Sequence, residues 1–88
     1  MEFDLQLEDY RKLLNAMEAE LRNIGRQLQK LQEPGEEQTF LKNRKFELKI
    51  LCYTMQRHVQ YEEEEDRIWM QLTKQNYDRL LGFLISRL

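Results

Sequence analysis

The 88-residue chain holds one cysteine, one proline, one histidine and three glycines. A lone Cys52 excludes an internal disulfide, and with only His58 to join it the ligands of a structural zinc site are missing. So few glycines and prolines cannot serve the many turns of an all-β fold. No apolar run approaches the roughly eighteen residues of a membrane span; the densest, Leu80 to Ile85, is short and contains Gly82. The start, Met1-Glu2-Phe3-Asp4, lacks the basic and apolar regions of a signal peptide. Together with a free cysteine, this leads to the expectation of an intracellular protein, cytoplasmic or nuclear.

The residues of catalysis are equally sparse. There is no glycine-rich phosphate loop, no nucleophile elbow and no pair of histidines spaced for a metal. Cys52 and His58 stand six positions apart, which puts them on opposite sides of a helix. A pH-sensitive pair of His58 with Glu62 is weaker than its plain alternative, a boundary histidine with one polar edge. The acids Glu62 to Asp66 lack the glycine-bearing loop of a calcium site and read as a solvated face. The expectation is a non-enzymatic protein with no cofactor and no metal.

What the chain does have is helix formers: Leu, Glu, Gln, Lys and Arg dominate its composition. Phe3, Leu7, Tyr10, Leu14, Met17, Leu21, Ile24, Leu28 and Leu31 alternate at spacings of four and three, the pattern of a helix packed along a partner. Glu33-Pro34-Gly35-Glu36 then breaks the chain. Beyond it, Leu41, Leu48, Leu51 and Met55 form a second seam, widened by Phe40, Phe46, Ile50 and Val59. A short connection makes the two helices antiparallel neighbours. The fold class expected is therefore all-α: an antiparallel, coiled-coil-like helical hairpin continued by an apolar C-terminal helix. Helix 1 is predicted over about residues 3–32, a turn over 33–36, helix 2 over about 36–60 and the last helix over about 66–88, all one domain. Residues 61–66 contain no breaker, which favours one helix running from about residue 36 to the end; a turn there would give a three-helix bundle instead.

Charge is segregated beneath a net of −2. In a simple hairpin the acids Glu2, Asp4, Glu8 and Asp9 would approach Glu62 to Asp66, so something basic is expected at that end, with the Arg67, Lys74, Arg79 and Arg87 segment, of the same chain or a second copy, as the candidate. A chain this short buries only roughly 60–65% of its unfolded surface, and oligomerisation is a common remedy. The most apolar stretch is the last, and Trp69, Leu72, Tyr77, Leu80, Leu81, Phe83, Leu84 and Leu88 are the expected interface. The function expected is a protein-protein interaction module, an assembly, adaptor or scaffold subunit. Its expected partner is a second copy first, as a homodimer, or another helical protein. The alternative is a small nucleic-acid-binding bundle, in which Arg22, Arg26, Lys30, Lys42, Arg44 and Lys45 form a basic patch near the hairpin tip.

Overall fold

The computed structural model describes residues 2–86. Six elements follow one another: β1 (Glu2–Gln6), α1 (Leu7–Lys30), α2 (Glu36–Arg57), β2 (Val59–Glu62), β3 (Arg67–Gln71) and α3 (Lys74–Ser86). The all-α expectation is overturned, because three helices share the chain with a three-stranded antiparallel sheet of order β1-β3-β2. The hairpin of α1 and α2 is present and the last helix is found over Lys74–Ser86, but residues 2–6, 59–62 and 67–71 are strands where helix was expected.

β1 occupies the segment assigned to the start of helix 1. Phe3 and Leu5 turn inward while Glu2, Asp4 and Gln6 face solvent, the period of two that a half-buried strand requires. The chain becomes helical at Leu7, whose amide donates to the Asp66 carbonyl at 2.8 Å. That bond satisfies one of the four amides a helix start leaves open, where Gln6 supplies no side-chain cap. Glu8 and Asp9 in the first turn complement the helix dipole. Glu8 and Lys12 pair at 3.4 Å on a solvated face, where the contact adds little.

α1 and α2 run side by side, antiparallel. Tyr10 meets Met55 at one end, and Glu20 meets Arg44 at 3.5 Å further along. Tyr10, Met17 and Ile24 of the four-three series are buried together with Leu13, whereas Leu7, Leu14, Leu21, Leu28 and Leu31 are half-buried. From α2 come Leu41, Leu48, Leu51, Cys52 and Met55. Gly35 is extended, so the reversal between the helices does not use a left-handed glycine.

α2 stops at Arg57, with His58 as its C-cap donating to the Thr54 carbonyl at 3.0 Å. The favoured long helix through residues 61–66 is thus absent: a β-hairpin stands in its place. Val59 and Tyr61 alternate with Gln60 and Glu62, and Ile68 and Met70 alternate with Arg67, Trp69 and Gln71. Residues 63–66 form the loop, closed by Asp66, which adopts a left-handed conformation with φ 49°. Aspartate tolerates this better than most residues because its short side chain bonds locally. Here the Asp66 carboxylate accepts the Tyr61 hydroxyl at 2.6 Å.

β3 is the central strand and pairs with β1 from Glu2↔Gln71 to Gln6↔Arg67. The base required near the acids is Arg67, 3.2 Å from Asp4 and 3.6 Å from Glu65. Thr73 opens α3, its hydroxyl accepting the Asn76 amide at 3.2 Å as an N-cap does. Met17, Ile24, Leu51, Met55, Met70 and Leu80 are the largest fully buried side chains. They come from both hairpin helices, the central strand and α3, so sheet and third helix close over one end of the hairpin. The molecule is accordingly elongated, 52 × 24 × 23 Å.

Candidate interaction surfaces

The C-terminal residues expected to meet a partner are divided by the fold. Leu72, Leu80 and Phe83 are buried in the chain's own core, Leu80 with no exposed surface. Tyr77 and Leu84 are half-buried against that core, and Tyr77 meets Phe3 edge to face at 6.4 Å. Trp69 lies half-buried on the outer face of the sheet, between Asp4 of β1 and Gln60 of β2. Leu81 is 37% exposed, and Leu88 lies outside the described residues. The apolar surface that called for a second chain is thus largely covered by β1, β3 and the hairpin.

Besides Leu81 and Ile85 of α3, uncovered apolar side chains lie on α2. Phe46, Ile50, Tyr53 and Arg57 recur at spacings of four, three and four, along one face of the helix. Phe46 is 63% exposed and Tyr53 57%, while Leu48, Leu51 and Met55 fill the opposite face. The Arg57 guanidinium sits 5.4 Å from the Tyr53 ring centroid, a cation–π contact that holds the aromatic end of the stripe. Lys42 and Lys49 are exposed beside it, and the nearest acid on the helix, Glu47, is turned about 100° from Phe46 toward α3. The face is therefore aromatic and positively charged. In the sequence these residues read as a broadening of one seam; the second spacing series, offset from Leu48-Leu51-Met55, is the signal that α2 carries two opposed stripes.

Two clefts flank α2. One, of about 490 Å³, lies between α2 and α3, floored by Leu48, Leu51 and Phe83 and rimmed by Arg44, Arg79 and Asp78. Its cations are already engaged, Arg44 with Glu20 at 3.5 Å and Arg79 with Asn76 at 3.0 Å. The other, of about 800 Å³, lies where α2 passes into β2 and β3 into α3, and includes Arg57, His58, Gln60, Trp69, Thr73 and Asn76.

The basic residues proposed near the hairpin tip do not form one patch. Arg22, Arg26 and Lys30 are exposed on α1, and Arg26 stands two positions, about 200°, from the buried Ile24. They thus face away from α2, where Lys42 is exposed, Lys45 half-buried and Arg44 drawn inward to Glu20. His58 and Glu62 do not share a helix, since one caps α2 and the other ends β2. Cys52 is buried, and burial followed by the nearby Glu18 charge pushes its thiol up from the ordinary value. Among the described residues no group of three or more His, Cys, Asp or Glu is placed to hold a metal ion. No helix among them is long and apolar enough to cross a membrane. In comparisons with known proteins, no family model, no curated protein and no solved structure matches this chain.

Proposed function

We propose that the chain is a non-enzymatic protein-interaction module whose α2 face receives an acidic amphipathic helix. The observation that carries this reading is the Phe46–Ile50–Tyr53 stripe, Phe46 and Tyr53 exposed and Ile50 half-buried, on a helix whose other face already fills the core. Large aromatic anchors supply most of the energy of protein contacts, and a helix partner would present its own apolar residues at matching spacings. Lys42, Lys49 and Arg57 select for acids at the flanks of that partner and against bases. A second copy meeting this face would set Lys42, Lys49 and Arg57 against a face of the same charge, which disfavours self-pairing here.

The experiment uses two synthetic amphipathic peptides of identical apolar face, one flanked by glutamates and one by lysines. Amide chemical shifts of the whole chain are followed during titration. The glutamate peptide should bind and perturb Phe46, Ile50 and Tyr53, weaken at higher salt, and lose affinity in Phe46→Ala/Tyr53→Ala. Equal binding of the two peptides, or none, overturns the reading. The solution mass is expected to remain at one chain, 10.9 kDa. A doubling that disappears in the double variant would make a second copy the occupant and remove the acidic helix.

A further inference from the structure

The cleft at the junction of α2, the sheet and α3 has a composition unlike the rest of the surface. Sixteen of the 88 residues are acids, yet none lines this cleft. Its walls carry the indole of Trp69, the guanidinium of Arg57, the imidazole of His58, and the neutral polar groups of Gln60, Thr73 and Asn76. The nearest acid across the sheet, Asp4, is held by Arg67 at 3.2 Å. At about 800 Å³ the space lies within the range of about 300–1,000 Å³ typical of small-ligand sites.

Each wall offers a different kind of contact. Trp69 is central in the sheet and half-buried, so its ring is positioned by strands on both sides and presents an aromatic surface at little ordering cost. Arg57 supplies a planar fork of donors suited to phosphate oxygens, and His58 a second ring donor beside it. Thr73, which caps α3 by taking the Asn76 amide, keeps its own hydroxyl proton to donate into the cleft. Aromatic surface at one wall and anion donors at the others form the complement of a planar ring joined to a phosphate.

We propose that this cleft binds a nucleotide unit, its base stacked on Trp69 and its phosphate held by Arg57, His58 and the Thr73 hydroxyl. The same chemistry is presented by a free mononucleotide and by a unit of a single strand, since base stacking and phosphate contact do not depend on which. The site is distinct from the α2 stripe and does not require that stripe to bind a peptide. Arg57 borders both, so a bound phosphate competes with the Tyr53 ring for its guanidinium.

Trp69 is the sole tryptophan, so its fluorescence reports this cleft alone. The whole chain is titrated with adenosine and guanosine monophosphates, with adenosine, with inorganic phosphate and with a short single-stranded RNA. The monophosphates should quench saturably, adenosine should bind about tenfold or more weakly, and phosphate should displace the nucleotide without quenching. Arg57→Gln and His58→Ala should each weaken the nucleotide severalfold while leaving the circular-dichroism melt unchanged. Phe46→Ala, which tests the peptide face, should not alter it. RNA binding about tenfold tighter than the mononucleotide assigns the strand as the source, and equal binding assigns the free nucleotide. Absence of saturable quenching at millimolar nucleotide, or quenching indifferent to both cleft variants, overturns the proposal.

Discussion

Tyr10 donates its hydroxyl to the backbone carbonyl of Met55 at 2.9 Å, across 45 positions of sequence and inside the core. Met55 lies in the last turn of α2, whose final four carbonyls have no amide of the same helix to accept. The phenol therefore completes the end of one helix from the first turns of another. It also fixes how far α1 and α2 are displaced along each other.

Tyr10→Phe keeps the ring and removes the donor, leaving a buried carbonyl unsatisfied. The expected loss is about 1–2 kcal/mol. At this chain length each kcal/mol corresponds to a fall of about 4–8 °C in Tm. Chemical denaturation should show a lower midpoint with an unchanged slope.

Burial, and then the neighbouring Cys52, raises the Tyr10 phenol above its ordinary 10.0; burial, and then Glu18, raises the Cys52 thiol above 9.0. Both groups are neutral when protonated, so the unfolded chain releases these protons first as pH rises. Their contribution is fully present below about pH 9 and is lost as pH climbs through their raised folded values. Urea midpoints from pH 7 upward should be flat and then decline, with Cys52→Ala removing the earlier part of the decline. The buried thiol should also react with a disulfide reagent only as fast as the protein opens.

Asp66 serves as left-handed loop residue, acceptor for Tyr61 and carbonyl partner of Leu7. Asn should substitute with little loss, since it tolerates the conformation and keeps an acceptor. Gly keeps the conformation without the side-chain bond, and Ala keeps neither, at a further cost of about 1 kcal/mol. The expected order of Tm is Asp and Asn, then Gly, then Ala. A stability equal for Gly and Ala would remove the role of the backbone conformation.

Leu80 and Leu81 are adjacent, one fully buried and one 37% exposed. Leu80→Ala should cost about 2–5 kcal/mol, as deletions in a packed core do. Leu81→Ala should change stability by about 0.5 kcal/mol or less. Equal effects, measured by denaturant titration, would place α3 in a different rotation.

The hairpin was legible because its evidence is local. The four-three spacing from Leu7 to Leu31, the Pro34-Gly35 break and the acids opening α2 all act within a few residues of themselves. The strands were not legible for a specific reason. Phe3 and Leu7 are four apart, an even number, so they satisfy the helical spacing and the strand alternation Phe3-Leu5-Leu7 equally well; Leu5 alone argued for the strand. Val59-Gln60-Tyr61-Glu62 and Ile68-Trp69-Met70 do alternate or carry strand-forming residues, but over runs too short to outweigh a glutamate-rich stretch without breakers. The cleft around Trp69 was unreadable because its walls come from residues 54–60, 69–71 and 73–76, in α2, β2, β3 and α3.

By itself, the sequence determined the antiparallel pair of helices, the turn between them and the base needed at the acidic end. Each follows from spacing, chain stiffness or charge within one segment. The tertiary structure decided that residues 2–6 and 67–71 meet as β1 and β3. A strand has no hydrogen-bonding partner within itself, so its existence depends on another strand being delivered to it. That pairing brings residues 2–6 beside residues 67–71 and sets Phe3 of β1 edge to face with Tyr77 of α3. It leaves exposed the side of α2 that no local pattern had marked as the outer one.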